Sequence, residues 1–284
     1  MTTITRFAPS PTGRLHLGHA YSALFAAQSA RRAGGRFLLR MEDIDSARCK
    51  PAFETGIVED LSWLGISWDG EVRRQSEHFE DYALSLRTLE GKGLLYPCFC
   101  TRADIQREIA GAGHAPHDVP NGPDGPLYPG TCRLLSEQEQ VDRKLRGESY
   151  ALRLDMTKAV RVADALDWTD LTHGHQVARP ELFGDVVLAR KDTPTSYHLA
   201  VTLDDHLQGV TLVTRGDDLF AATHVHRLLQ ALLGLHVPDY HHHPLLTDDY
   251  GRRFAKRDKA QTLAELRDTG VSSENILQQL GFAG

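Results

Sequence analysis

The chain has 284 residues and a mass of 31.6 kDa, with 41% hydrophobic and 25% charged residues, ordinary globular material able to bury one large core or two modest ones. Its formal net charge of −6 excludes a protein that coats nucleic acid without selectivity, although clusters such as Arg31-Arg32-Arg36 leave room for local recognition. No apolar run approaches the length of a membrane span and no basic-then-apolar leader opens the chain, so a cytoplasmic location without membrane contact is expected. Four cysteines, two of them nearly adjacent, suit a reducing compartment with a metal site better than a disulfide framework.

In chain order, Ile4 to Phe7 reads as a short buried strand. Pro9 and Pro11 remove two backbone donors and Gly13 supplies a sharp turn, so the strand gives way to an ordered loop. From Leu17 to about Ala33, residues Ala20, Tyr21, Leu24, Phe25 and Ala27 recur at helical spacing, and Gly34-Gly35 ends the run. Phe37-Leu38-Leu39 is a second buried strand. Strand, helix and strand make a βαβ crossover, whose ligand side is the carboxyl end of the strands. His16 and His19 flank Gly18 there, in the first turn of the helix. The glycine lets a ligand lie against the backbone, and two imidazoles three residues apart can donate to phosphate oxygens. Taken alone, the same residues could be a helix start with two solvent histidines.

Next comes Arg40-Met41-Glu42-Asp43-Ile44-Asp45, charged groups at a strand's carboxyl end. Asp45 or Ser46 is the expected cap for a helix around Phe53 to Leu64. A further helix is expected from Glu77 to Glu90, with Tyr82, Leu84, Leu86 and Leu89 on its inner face and Lys92-Gly93 closing it. Residues 111 to 130 carry many glycines and prolines with little that could form a core, so this region needs a staple. Cys98, Cys100 and Cys132 offer three thiolates, and a fourth ligand would complete a tetrahedral zinc site. Generic ligand preference selects His114 or His117. Cys49 reads as a bystander. Tyr150 to Leu154 resembles a strand, and the polar stretch through His175 reads as loops between short strands. Gly184 to Arg190 and Val210 to Val213 are expected strands, the second bringing Arg215 to a carboxyl end. Ala222 to Leu233 is a structural helix capped by Gly234, and two short helices, 263–267 and 274–280, follow.

The segment FAPSPTGRLHLGHAYSALFA, from Phe7 to Ala26, resembles the signature of class I aminoacyl-tRNA synthetases. Within them it resembles the glutamyl branch, whose first strand ends in a similar Arg-Phe-Ala-Pro-Ser-Pro-Thr-Gly run, here Arg6 to Gly13. Tyr197-His198-Leu199-Ala200-Val201 and Arg215-Gly216-Asp217-Asp218 are similar to that branch's second half. Arg253-Phe254-Ala255-Lys256-Arg257 stands where the family carries a lysine-rich second signature: Lys256 keeps its lysine, Arg253 replaces the first one and Ala255 removes a serine hydroxyl. The resemblance implies an α/β, Rossmann-like (HUP-type) parallel-sheet nucleotide-binding catalytic domain. Its halves would be 1–95 and 181–240, split by an inserted zinc-containing, acceptor-end-like subdomain at 96–180. Residues 241–284 would hold the signature loop and a short helical segment, with no anticodon-binding domain. It further implies activation of L-glutamate by ATP with Mg²⁺: His16, His19 and Lys256 as catalytic donors, Gly18 and Arg253 as further ATP contacts. Glutamate would be held by Arg6, Ala8, Ser10, Glu42, Tyr197 and Arg215, with either arginine able to take either carboxylate. His224, His226 and the His241-His242-His243 run are expected at the surface or on the tRNA side.

The short, glutamyl-synthetase-like enzymes that glutamylate queuosine look similar in the insertion, with a Cys-x-Cys pair followed by Tyr-x-x-x-Cys. Here that is Cys98, Cys100 and Tyr128-Pro129-Gly130-Thr131-Cys132. This resemblance implies Tyr128 as the fourth zinc ligand, tRNA-independent formation of glutamyl-adenylate, transfer to queuosine in the anticodon of tRNA(Asp), and a monomer. Two competing expectations stand beside it. One is a truncated glutamyl-tRNA synthetase charging a tRNA 3′ end; the other, prompted by Arg253 and Ala255, is a noncatalytic nucleotide- or tRNA-binding paralogue.

Overall fold

The computed structural model describes residues 2–111, 121–246 and 261–282. β1 (Ile4–Phe7), α1 (Leu17–Arg32) and β2 (Arg36–Met41) form the expected crossover, with β1 and β2 parallel and Arg6 opposite Leu38. The turn between α1 and β2 requires glycine: Gly34 sits at φ 60°, and a Cβ on Gly35 would lie 2.0 Å from the Thr3 carbonyl oxygen. Then follow α2 (Pro51–Trp63), β3 (Arg73–Arg74), α3 (Phe79–Gly91) and β4 (Leu95–Cys98). Neither Asp45 nor Ser46 caps α2. Pro51 opens it with the φ a first turn needs, while Asp45 accepts instead from the Arg48 guanidinium. On α3, Tyr82, Leu86 and Leu89 are buried as expected, but Leu84 is 60% exposed, so the inner face is narrower than its apolar residues suggest.

The middle of the chain holds α4 (Arg102–Gly111), a small hairpin of β5 (Asn121–Gly122) and β6 (Gly125–Pro126), α5 (Glu137–Leu145) and β7 (Ala151–Leu154). After them come α6 (Met156–Ala163), β8 (Asp167–Asp170), β9 (Gly174–Val177) and β10 (Val187–Ala189). The helix α6 lies where only loops and strands were expected. Asp155 caps it by accepting from the Lys158 amide, and its two turns are too short for periodicity to stand out. β10 is shorter than the expected strand because Gly184 breaks the backbone at φ 58°. The remaining elements are α7 (Tyr197–Leu207), β11 (Leu212–Gly216), α8 (Ala222–Leu233), β12 (Asp239–His243), α9 (Leu263–Asp268) and α10 (Ser273–Gln279).

β12 pairs in parallel with both β11 and β8, and β9 returns antiparallel on β8. Thr211 joins this sheet to the first: its amide donates to the Ile4 carbonyl at 3.0 Å and its hydroxyl accepts from the Ile4 amide at 2.9 Å. Strand alternation then sorts the two faces. Phe7, Phe37, Leu39 and Met41 pack against α1, α2 and the tail residues Leu263 and Ile276. Leu38 faces the other way, against Trp168, Val213 and Tyr240. Arg6 and Arg40 share that second face, where α7 presents Asp204 and Asp205. A separate cluster packs α3, α7 and α8 together, and Tyr96, Cys98, Phe99 and Cys132 form a small one of their own. Among the described residues no helix is long and apolar enough to cross a membrane.

Candidate active site

The ends of β1 and β11 and the start of α1 surround a cleft of about 460 Å³. Arg6, Ala8, Ser10, Glu42, Tyr197 and Arg215 line it together with His16, Gly18 and His19. Arg253 and Lys256 lie outside the described residues, as do His114 and His117. The chain on either side of 247–260 meets the cleft: Leu246 lines it, and Thr262 pairs with His16 while the Leu263 amide donates to the Leu15 carbonyl at 2.9 Å.

One end of the cleft is cationic and braced. Arg6 grips Asp205 with Nε at 2.8 Å and Nη2 at 3.4 Å, and its Nη1 donates to the Thr214 carbonyl at 3.0 Å. Arg40, fully buried, donates to the same Asp205 at 2.9 Å and to Glu42 at 3.3 Å. Asp204, next along α7, takes bonds from Arg73, Gln75 and Tyr82. Burial alone would raise the Asp205 carboxyl, but Arg6 and Arg40 outweigh it and hold it below its usual range. For Glu42 the balance reverses: burial pushes its carboxyl up against the pull of Arg40 and Arg6. Glu42 keeps Arg40 as its ion-pair partner and lines the cleft, where a carboxylate can accept from an ammonium group. Burial also raises the Tyr197 phenol, which therefore stays protonated as a donor. The loop that carries Ala8 and Ser10 is pinned to β2 because the Glu42 amide donates to the Pro9 carbonyl at 3.0 Å.

The other end is built from the two imidazoles. His16 caps α1, its Nδ1 accepting from the Gly18 amide at 3.1 Å, and His19 Nδ1 accepts from the His16 amide at 3.2 Å. An accepting Nδ1 carries no proton, so each neutral ring bears its hydrogen on Nε2. The rings lie 3.8 Å apart, centroid to centroid. Both rings line the cleft at the positive end of the helix dipole, a place that suits an anion.

Away from the cleft, Cys98, Cys100 and Cys132 gather with their sulfur atoms within 4.8 Å of one another. Tetrahedral zinc holds thiolates about 3.8 Å apart, so the cluster fits that ion with little movement. Tyr128 Oη lies 3.5 Å from Cys100 Sγ, and the Arg153 guanidinium sits 3.9 Å from the Tyr128 ring centroid. Burial and the hydrogen bonds to the neighbouring thiols raise the phenol, so it keeps its proton until an ion displaces it. Burial pushes the Cys100 thiol up to about 12. For Cys132, burial is outweighed by hydrogen bonds from Tyr128 and the Phe99 amide, and the thiol comes down. Cys49 stands apart, near Ser10.

The chain matches the family described as class I tRNA synthetases (E and Q), catalytic domain, over residues 2–284. A protein named Glutamyl-Q tRNA(Asp) synthetase from Rhodobacter capsulatus is 50% identical over 287 residues, covering 98% of this chain and 100% of that one. One of the same name from Symbiobacterium thermophilum is 43% identical over 98% of this chain and 85% of its own length. The chain belongs to the class I tRNA synthetases, in the glutamyl-Q tRNA(Asp) synthetase family. The solved glutamate-tRNA synthetase of Elizabethkingia anophelis superposes with a TM-score of 0.82 at 27% identity, over 99% of this chain and 61% of that one. This chain therefore spans 61% of the length of that synthetase.

Arg40, Asp205 and Asp204 join the site without a motif in the sequence to mark them. The available signal was a charged residue at an inward position of each apolar strand, Arg6 and Arg40, together with an acidic pair on the otherwise apolar α7. The histidines were misplaced: His224, His226, His242 and His243 are all buried rather than surface groups. Each lies inside the fold among aromatic rings or polar partners; His243 Nε2, for example, is 3.1 Å from Ser22 Oγ.

Proposed function

We propose that this chain activates L-glutamate with ATP to glutamyl-adenylate, without tRNA, and passes the glutamyl group to queuosine in the anticodon of tRNA(Asp). The observation that carries the first step is one cleft with two buried arginines and the Glu42 carboxylate at one end and two imidazoles whose Nδ1 atoms accept from backbone amides at the other. The acceptor rests on 50% identity along the full length of a protein named for it. In this reading Arg6 and Arg215 pair with the two carboxylates of glutamate, Glu42 takes the ammonium group, and Tyr197, Ser10 and the backbone of Ala8 complete the pocket. A glutamate carboxylate oxygen attacks the α-phosphorus of ATP in line; the bond to the β-phosphate oxygen breaks and pyrophosphate leaves. The nucleophile is already an anion, so no general base is needed. His16 and His19 donate to the phosphate oxygens as charge builds, Gly18 admits the nucleotide against the helix, and Lys256 with Arg253 supplies further positive charge.

Magnesium belongs to the ATP phosphates as substrate counter-ion. Cys98, Cys100 and Cys132 would hold Zn²⁺ with Tyr128 as fourth ligand, and the ion would supply a structural cross-link in the inserted region, 96–180, between catalytic halves 1–95 and 181–240. Residues 241–284 would carry the signature loop and short helical segment, and the chain would act as a cytoplasmic monomer. Radiolabelled glutamate tests the acceptor: label is expected on tRNA(Asp) that carries queuosine, and not on tRNA(Asp) lacking it or on tRNA(Glu). Labelling of tRNA(Glu), or equal labelling regardless of queuosine, would overturn the reading. Glutamate-dependent ATP–pyrophosphate exchange tests the first step. No exchange, with Lys256→Ala indistinguishable from wild type, would favour a noncatalytic binder.

A further inference from the structure

Arg215, at the end of β11, is buried and held on three sides. Its Nε donates to His242 Nε2 at 3.1 Å, its Nη1 lies 3.1 Å from His226 Nδ1, and its Nη2 donates to Thr223 Oγ1 at 2.6 Å. The Tyr240 ring centroid is 5.5 Å from the guanidinium carbon. Arginine offers donors only, so the imidazole nitrogens facing it must accept and carry no proton. Each ring's hydrogen is therefore on its other nitrogen. His242 Nδ1 donates to Asp170 Oδ2 at 2.6 Å, and His226 Nε2 donates to His198 Nδ1 at 3.2 Å. Asp170 is itself fixed by the amides of Thr172, His173 and His242. Two relays from different parts of the fold, Asp170 to His242 and His198 to His226, thus end on one guanidinium. Burial and the neighbouring Arg215 charge push both imidazoles toward their neutral forms, the only forms that can accept.

We infer that His242 and His226 are positioning residues for glutamate recognition, turning Arg215 so that the two N–H groups left of its five face a carboxylate in the cleft. The inference rests on the glutamate-binding role proposed for Arg215. It differs from a packing role in one respect that can be measured: the accepting atom is Nε2 in His242 but Nδ1 in His226. A glutamine side chain reaches the position of Nε2, and an asparagine that of Nδ1. His242→Gln and His226→Asn therefore keep an acceptor where Arg215 needs it, whereas His242→Asn and His226→Gln misplace it.

The test is glutamate-dependent ATP–pyrophosphate exchange by the full chain, with KM determined for each substrate. Misplaced acceptors should raise the glutamate KM on the order of tenfold or more while leaving the ATP KM near wild type. Matched acceptors should hold the glutamate KM within about threefold. Equal losses in all four variants, or a parallel rise in the ATP KM, would mark a structural role and overturn the inference; so would four unchanged glutamate KM values. Arg215→Gln separates the two levels. An unaltered glutamate KM in that variant would sink the role of Arg215 itself, while a large rise there without the crossed pattern would sink only the positioning by histidine.

Discussion

Around Arg6 and Arg215 each guanidinium is held by protein groups on three nitrogens, whereas around Cys98, Cys100 and Cys132 the donor atoms face chiefly one another. The first region is cross-braced by partners brought from β2, α7, β11, α8 and β12. The second draws on a two-residue hairpin, a 3-10 turn and the end of β4. A buried cation needs counter-charge to be folded in at all, so its bracing is written into the core. A thiol cluster can wait for an ion to supply the missing bonds.

The largest effect that would break this contrast belongs to the cysteines. Cys132→Ser should abolish stoichiometric zinc in metal analysis and open the region near Tyr128 to limited proteolysis, with glutamate-dependent exchange surviving. Full zinc content in that variant would show that the cluster does not depend on this sulfur. Next is Asp205→Ala, which leaves Arg6 and Arg40 without their shared partner; breaking a buried pair of this kind costs about 3–5 kcal/mol. Urea unfolding measures it, and a loss below about 1 kcal/mol would mean the bracing is dispensable.

Third is acid sensitivity. Burial and then Arg215 push His242 down to about 4 from its ordinary 6.5. Between those values the unfolded chain binds the proton and the native protein does not, so stability rises with pH through this window and falls on acidification. The shift corresponds to roughly 3 kcal/mol. Asp170, which hydrogen bonds from His242 and His173 bring down to about 2 despite burial, adds its own loss only at still lower pH. Urea titrations near pH 7 and pH 4.5 should show His242→Gln with a shallower acid loss than wild type; identical slopes would place the sensitivity elsewhere. The smallest effect is Tyr128→Phe, expected to weaken zinc affinity by about ten- to a hundredfold while the three sulfurs still bind it. Competition with a chromogenic chelator reads that difference.

Much of the fold was legible because its signals are local. The crossover of β1, α1 and β2, the glycine that ends α1 and the Gly234 that ends α8 each follow from residues a few positions apart. The cleft was legible where a signature names its residues, from Arg6 to His19 and at Arg215. What supports them was not, because it is assembled at long range: Asp205 lies 165 positions from Arg40, and Asp170 lies 72 from His242. The same distance explains the misplaced histidines. A run of three imidazoles in sequence gives no sign that strand alternation will set His242 beside a buried arginine and a buried aspartate. The cap of α2 failed for a local reason, since a proline in the first turn needs no side-chain acceptor before it.

The helix cap made by His16 and His19 limits what those rings can do. With Nδ1 committed to backbone amides, neither imidazole can take up a proton without releasing the first turn of α1. In the proposed reaction they would act as fixed dipoles rather than shuttles, with no proton transferred as the acyl phosphate bond forms. The pH–rate profile of exchange should therefore lack a limb due to either histidine, and the solvent deuterium isotope effect on that step should lie close to unity.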